Sequence, residues 1–419
     1  MLIGIEVSSA VAQRRSGVGN YTMNLVAELR RLHAANAEAS FLYFANRGER
    51  LDLSSTDAPG LARIYPRDRL PSRMVWMQAG LPRSIARTRP DICHFPNHLA
   101  PLFRMDIAPY ILTLHDMSVY RCPEHHALKT VLTHRTIMAH AARHARAIVT
   151  VSESARQDIL HYLKVPPERV RVVYEGAGSR FQALAAPGDA DDQVVRQRYG
   201  LPEHYILTVS TLEPRKNHAR LIQAFTQLVQ QEGLPHHLVV VGARGWKERA
   251  LFETAARHNL SGRIHFLGYV PSADLPGLYR AASLFAFPSL YEGFGLPVLE
   301  AMACGVPCII STDPALREVA GAEAAVVVDP HSVADIAAGL HRVLANPRLA
   351  RQLQAKGIAR ASTFGWQTCA AETYALYREV LDGVAVPTTK RTNPALSRTW
   401  PAPAGSEAVV PSRSRSMPP

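Results

Sequence analysis

The sequence predicts an α/β protein made of two Rossmann-like, doubly wound domains facing a central cleft. Three observations carry this expectation. The 419 residues exceed one ordinary domain and suit two. Short apolar runs alternate with amphipathic stretches, the βαβα order of parallel sheets covered on both faces. The rhythm stops once, near 182–200, and then restarts.

In the first half, strands are expected at Leu2–Val7, Phe41–Phe44, Asp91–His94, Tyr110–Leu114, Ala147–Val151 and Val170–Tyr174. Helical patterns fall between them at Gly19–Leu32, Ser72–Ala86, Glu124–His144 and Ser154–Leu163. The stretch Ala185-Ala-Pro-Gly-Asp-Ala-Asp-Asp192 reads as linker. In the second half, strands are expected at Tyr205–Ser210, His237–Val241, Ile264–Leu267, Leu284–Pro288, Pro307–Ser311 and Ala325–Val328. The helix at Ala219–Gln230 places apolar residues at 221, 222, 225, 228 and 229, the stripe of a core-facing helix. Helices at 332–345, 347–360 and 366–381 close the fold, and the Pro-, Ser- and Arg-rich end has no periodicity. The expected organisation is a first domain over 1–184, a linker over 185–200, a second domain over 201–365, a closing helix over 366–385 and a disordered tail over 386–419.

Composition narrows the function classes. At 47% hydrophobic and 20% charged, the chain is not broadly disordered, and it holds no uninterrupted apolar run of membrane-spanning length. The start, Met1 to Val7, lacks the basic region of a secretory signal. Five cysteines form no CxxC pair, so neither a zinc site nor a redox motif is expected, and a reducing cytoplasm fits best. The net charge of +12 is uneven: +9 over residues 1–185, −1 over 186–385 and +4 over 386–419. One-sided basicity points to a polyanion or an anionic membrane surface near the first domain. The stretch Lys129–Arg146 carries Lys129, Arg135, Arg143 and Arg146 without an acid, and adds Val131, Leu132, Ile137 and Met138 as apolar area. No helix-turn-helix, RNP or zinc pattern supports a nucleic-acid partner.

Open parallel sheets bind ligands beyond the carboxyl ends of their strands, so the residues just after each strand matter most. The strongest segment there is Glu292-Gly-Phe-Gly-Leu-Pro-Val-Leu-Glu300. Pro297 suits the first turn of a helix, and Gly293 and Gly295 let the backbone approach a ligand. The amides around Gly295 and Leu296 then make an anion site at the helix start. Glu292 and Glu300 flank it, an arrangement suited to sugar and ribose hydroxyls on either side of a diphosphate. Capping alone leaves the two glycines unexplained. Ser210-Thr-Leu-Glu-Pro-Arg-Lys-Asn217 presents Arg215 and Lys216, a bidentate grip and a point charge for phosphate.

Ser16-Gly-Val-Gly-Asn-Tyr21 fails as a dinucleotide fingerprint because Thr22 takes the third glycine position. It reads instead as a flexible loop over the cleft, with Gly17 and Gly19 near a phosphate or acceptor. His115-Asp116 ends an apolar strand where a histidine can bond a sugar hydroxyl. In His94-Phe-Pro-Asn97-His98, Asn97 and His98 would line the acceptor side. Gly268 and Tyr269 are placed to frame a base. Asp189-Ala-Asp191 imitates a metal-binding DxD but follows no strand, so it reads as solvated spacer.

These motifs in this order resemble the retaining glycosyltransferases of family 4, also called group 1, over about residues 1–382. The resemblance implies the two-domain GT-B fold, no metal or other cofactor, and transfer of a sugar from a nucleotide diphosphate with retained configuration. It implies an acceptor-binding first domain, a donor-binding second domain, and a last helix near Trp366–Leu381 crossing back to the first. Arg215 and Lys216 would hold the diphosphate and Glu300 the ribose. Glu292 and the backbone of Gly293, Phe294, Gly295 and Leu296 would hold the donor sugar and its phosphate. His115 would meet the sugar's primary hydroxyl, and Ser210 would also face the donor. Within the family, the His94–His98 and His115-Asp116 segments are similar to mannosyltransferases that use GDP-mannose to build bacterial surface polysaccharides. The acceptor would then be a glycan, commonly lipid-linked. Asn20 stands where that subgroup commonly carries arginine. A nucleotide-sugar epimerase of the same fold, or a basic nucleic-acid-binding protein, is the competing reading.

Overall fold

The computed structural model describes residues 1–12, 15–33, 38–46, 50–52, 61–63, 72–102, 108–183, 190–246, 249–257 and 262–383. Its frame is two six-stranded sheets within one compact body. The first comprises β1 (Leu2–Glu6), β2 (Ser40–Phe44), β3 (Ile92–Phe95), β4 (Tyr110–Leu114), β5 (Ala147–Thr150) and β6 (Val170–Val172). The second comprises β7 (Tyr205–Val209), β8 (His237–Val241), β9 (Ile264–Gly268), β10 (Leu284–Phe287), β11 (Cys308–Ser311) and β12 (Ala325–Val328). Each expected strand is present, and every pairing within the two sheets is parallel. A small antiparallel pair, Arg50–Asp52 with Leu61–Arg63, forms a separate two-stranded sheet near β2.

The strand order is β2-β1-β3-β4-β5-β6 in the first sheet and β9-β8-β7-β10-β11-β12 in the second. The second is the doubly wound Rossmann order; the first begins with the flavodoxin-like 2-1-3 arrangement. The winding reverses between β1 and β3, and again between β7 and β10. Those two points are where crevices open beyond the strand ends. Arg215 and Lys216 follow β7 and Glu292 follows β10, so the two strongest motifs straddle one switch point.

The helices named below are α1 (Gly17–His33), α2 (Leu81–Thr88), α3 (Leu128–His144), α4 (Glu153–Leu163), α5 (Ala190–Arg198), α6 (His218–Glu232), α7 (Arg249–Arg257), α8 (Leu275–Arg280), α9 (Leu296–Ala303), α10 (Pro314–Ala320), α11 (Val333–Leu344), α12 (Pro347–Ala361) and α13 (Trp366–Leu381). The α6 stripe is buried as expected through Leu221, Ile222, Phe225 and Leu228, packed with Ile206, Leu238 and Leu284 of the second sheet. A side chain such as Phe225 contributes roughly 1.5–3 kcal/mol through burial. Under the first sheet, Leu112 and Ile148 pack with Trp76, Met138 and Ile159.

Three expected elements differ. The helix expected from Glu124 begins at Leu128, because Pro123–His125 forms a separate 3-10 turn. The stretch 72–86 is interrupted by a π-helical turn at Trp76–Gly80, which buries the Trp76 ring before α2 resumes. The expected linker over 185–200 contains α5: part of it, 185–189, lies outside the described residues, while Ala190–Arg198 is helical and packs on α8. Asp192 is buried there in an ion pair with Arg280, which ties the segment into the fold. Asp189 and the expected tail over 386–419 lie outside the described residues.

The last helix returns to the first sheet. α13 packs along α1, and the Tyr377 hydroxyl lies 2.7 Å from His94 Nδ1. Arg171 of β6 pairs with Glu379 at 2.9 Å. A Cβ on Gly176 would stand 2.4 Å from the Trp366 amide nitrogen, so the backbone passes the start of α13 only without a side chain.

Candidate functional site

The second half supplies a turn and a loop that meet. After β7, Pro214 opens a 3-10 turn over Pro214–Lys216, which ends at Asn217 in left-handed backbone (φ 62°). The Asn217 amide donates to the carbonyls of Pro288 (2.9 Å) and Pro330 (2.7 Å), fixing the turn from below. The Leu290 N–H donates to the Arg215 carbonyl at 2.9 Å, so the turn lies beside the loop after β10. Arg215 Nη1 donates to the Tyr291 carbonyl at 2.7 Å and to Glu292 Oε2 at 3.2 Å, while Nη2 reaches Glu213 Oε1 at 2.7 Å. Lys216 Nζ donates to Glu292 Oε1 at 2.6 Å. Glu213, unassigned by its sequence context, is a second counter-charge for Arg215.

This cluster is buried, so its charges decide its protonation. Burial pushes the Glu292 carboxyl up, but the Lys216 and Arg215 cations outweigh it and hold the group below its ordinary value. Burial opposes the Arg215 charge, and Glu292, Asp116 and Glu213 overcome it, raising the guanidinium's pKa. Two carboxyls nearby go the other way. Glu300, one turn into α9, is pushed up to about 8 by burial, with the Glu175 charge adding, while the Tyr279 hydroxyl donates to it at 2.9 Å. Asp313, at the start of α10, is pushed up to about 7 by burial and the neighbouring Glu292 charge. It accepts the Glu292 N–H at 3.2 Å and the Ala315 and Leu316 amides. Asp313 was not among the expected site residues, although an acid before Pro314 just after a strand is a readable helix-start signal.

Gly293 and Gly295 serve the approach expected of them. A Cβ on Gly293 would lie 1.8 Å from the His115 carbonyl oxygen, so this loop touches the first half only as glycine. Gly295 precedes α9 with φ 105°, a conformation that favours glycine, and a Cβ there would strike Leu316 at 2.4 Å. Phe294 is buried against the Tyr174 and Phe364 rings, leaving only its backbone for the cleft. Leu296 opens α9 and lines a cavity.

The first half brings His115 and Asp116 to the same point. His115 Nε2 lies 3.1 Å from the Pro96 carbonyl and Nδ1 lies 3.4 Å from Glu175. Burial works against the Asp116 charge, but Arg215, His98 and the Ser118 amide hold its carboxyl far below the usual range. His98 accepts the His115 N–H at 3.1 Å, and burial lowers its pKa to about 4. The Asn97 side chain is committed to its own sheet, donating to Glu6 at 2.5 Å and accepting from the Leu99 amide. His94 is a buried core histidine between Tyr377 and Thr113, its pKa lowered to about 3 by burial and then by His115.

One expectation changes in detail, and the surroundings of two other sites are now defined. Gly17 and Gly19 form the first turn of α1 rather than a loop over the cleft. Gly19 lets that turn press on the Ser9 carbonyl, 2.5 Å from where a Cβ would sit. The Ser210 hydroxyl is engaged by His218 Nε2 at 3.0 Å. Gly268 ends β9 with φ 69° and accepts the Gly242 N–H at 2.8 Å, and Tyr269 follows it.

A cavity of about 720 Å³, including its solvent-open mouth, opens at the start of α9. Asn20 and Asn24 of α1, Arg180, Trp366, Leu296 and Glu300 are among its lining. Of the expected donor residues, Leu296 and Glu300 line it; Arg215, Lys216 and Glu292 do not, and are paired with one another instead. Potential metal donors gather at one place among the described residues, Cys122, Glu124 and His125, within 4.8 Å of one another.

Two wound parallel sheets, with the Arg215-Lys216 turn and the Glu292 loop meeting at the switch point of the second, define a two-domain α/β class whose sites lie beyond the strand ends. Comparison with known proteins agrees. Residues 15–177 match the family described as Glycosyltransferase Family 4, and residues 191–360 match Glycosyl transferases group 1. O-antigen chain mannosyltransferase B of Escherichia coli is 33% identical over 380 residues, covering 87% of this chain and 96% of that protein. The serotype-specific mannosyltransferase WbdA of Escherichia coli is 35% identical over 229 residues, covering 54% of this chain and 28% of that protein. Sucrose-phosphate synthase of Thermosynechococcus elongatus shares the fold at TM-score 0.72 and 21% identity, covering 91% of this chain and 100% of that one. The chain belongs to the group 1, family 4 glycosyltransferases and has their GT-B fold.

Proposed function

We propose that this glycosyltransferase is a retaining hexosyltransferase that moves mannose from GDP-mannose to a glycan acceptor, lipid-linked, in bacterial surface polysaccharide synthesis. The observation that carries the reading is the Arg215–Lys216–Glu292 cluster at the switch point of the second sheet, beside the start of α9 and against His115. The names of the Escherichia coli relatives favour mannose and O-antigen over other sugars and products.

In this reading Arg215 and Lys216 exchange one carboxylate contact each for the donor diphosphate, and the first amides of α9 face the same phosphate. Glu300 takes the ribose. Gly268 and Tyr269 frame the base, and Ser210 and the Gly17–Gly19 turn lie on the donor side. Glu292 and the 293–296 backbone hold the sugar. His115 meets the sugar's primary hydroxyl by giving up its Pro96 contact, and His98 lies behind it on the acceptor side, while Asn97 braces that side through Glu6. The reaction breaks the bond between the anomeric carbon and phosphate and forms a bond to the acceptor oxygen on the same face. The acceptor proton passes to the departing phosphate oxygen. Cations and helix amides stabilise the charge on that leaving group, the largest service such a site offers. No divalent ion or covalent enzyme nucleophile is assigned a step.

A thermal-shift panel of GDP, UDP and ADP with their mannose and glucose conjugates tests the donor. GDP and GDP-mannose should raise the midpoint, since saturating ligand stabilises by a few kcal/mol. Product anomer analysis with and without EDTA tests the chemistry. An inverted product, donor consumption without acceptor, or loss of activity restored only by divalent ions would overturn it.

A further inference from the structure

We infer that Tyr291 is a positioning residue whose hydroxyl, gripped by the first half of the chain, sets Glu292 in the cleft. Tyr291 is buried in the loop after β10. Its hydroxyl donates to Asp158 Oδ2 of α4 at 2.8 Å and accepts the Met117 N–H at 3.0 Å. Met117 lies two residues beyond His115, so this contact runs along the backbone that carries the histidine. The Tyr291 carbonyl accepts Arg215 Nη1 at 2.7 Å, and the next amide, that of Glu292, donates to Asp313 at 3.2 Å. The residue before Glu292 is thus held at its side-chain tip by the first half and at its backbone by the second.

Other contacts bridge the halves at this face. Ser152 Oγ donates to the Gly293 carbonyl at 2.5 Å, and Glu318 accepts the amides of Glu153 and Ser154 at the start of α4. Among these bridging side chains, Tyr291 adjoins Glu292 in the chain, so its grip transmits the approach of the halves to that carboxylate. Two packed domains move relative to each other by default, and closure commonly completes a catalytic arrangement. A phenol with both a donor and an acceptor contact senses such closure, and phenylalanine in its place keeps the packing while losing both.

The inference rests on the reading of Glu292 as the donor-sugar carboxylate, and the test separates the two. GDP release from GDP-mannose, with a mannose-terminated oligosaccharide as acceptor, is measured for the unaltered chain, Tyr291→Phe, Asp158→Ala, Glu292→Gln and the Tyr291→Phe/Glu292→Gln pair, with radiolabelled donor for slow variants. Calorimetry gives GDP affinity and the thermal midpoint. Tyr291→Phe should lower kcat at least fivefold with GDP affinity within twofold, and Asp158→Ala should follow it. Adding Tyr291→Phe to Glu292→Gln should lower the residual rate by less than twofold, as expected of groups acting in series. An unchanged kcat, a fully multiplicative loss in the pair, or parallel loss of GDP affinity and midpoint would overturn the positioning role. Full activity in Glu292→Gln, or no turnover of GDP-mannose by the unaltered chain, would instead overturn the underlying site reading.

Discussion

At the scale of single residues, the cluster presents its cations already neutralised. Arg215 faces Glu213, Glu292 and Asp116, and Lys216 faces Glu292. An incoming diphosphate therefore competes with Glu292, and both cations are needed to win. Alanine at Arg215 and Lys216 together removes two charge-assisted contacts, each worth roughly 1.5–3 kcal/mol. Calorimetry should show at least a tenfold loss of GDP affinity with the fold retained; unchanged affinity would sink the phosphate role. Glu300 offers a second test, of stability. Its carboxyl rises from an ordinary 4.5 to about 8 on folding, through burial first. A raised value means the folded chain holds the proton more tightly. That contribution is complete below the ordinary value and is lost as pH climbs through about 8. Glu300→Gln cannot ionise, so its stability relative to the unaltered chain should improve by a few kcal/mol between pH 5 and 9. Urea unfolding at pH 5, 7 and 9 reads this directly, and a pH-independent difference would contradict it.

At the scale of elements, the loop after β10 works through what it lacks. Gly293 places its backbone where a Cβ would sit 1.8 Å from the His115 oxygen. In Gly293→Ala the two loops must part, because a rigid carbonyl cannot yield as a side-chain tip can. Activity should fall at least tenfold while the circular dichroism of both wound sheets is kept; near-normal turnover would show the loops separate freely. The motif, its glycines and all twelve strands of the two sheets were legible because each depends on local pattern: apolar runs, Pro297 at a helix start, adjacent cations after a strand. What was illegible depends on partners distant in sequence. The Asn97 amide looks free for an acceptor until Glu6, ninety-one positions away, takes it. The 3-10 turn at Pro123 and the π-helical turn at Trp76 break periodicities that ran through them. α5 was hidden because its anchor, Asp192 to Arg280, joins segments on either side of β7 to β9.

At the scale of the whole molecule, positive charge gathers on the first half, and no helix among the described residues is long and apolar enough to cross a membrane. Against an anionic bilayer, the contact expected from the sequence, α3 would present fewer groups than its sequence offers. Val131, Ile137 and Met138 are buried against the sheet, and Arg135 is held by the Val119 carbonyl and the Tyr120 ring. Leu128 (74% exposed), Leu132 (60%), Lys129, Arg143 and Arg146 remain outward. Two leucines and three cations would give only a weak, peripheral grip: each cation near an anionic surface contributes about 1 kcal/mol and is screened within a Debye length of about 10 Å at 0.1 M salt. Docking should therefore need anionic lipid and dissolve in salt. Co-sedimentation with phosphatidylglycerol vesicles in 20 mM salt should pellet the chain, and neutral phosphatidylcholine vesicles or roughly 0.5 M salt should release it. Leu128→Ser with Leu132→Ser should weaken pelleting without changing its salt dependence, since the apolar and ionic contributions act separately. Equal, negligible pelleting on both lipids would remove the membrane role and favour an acceptor met in solution.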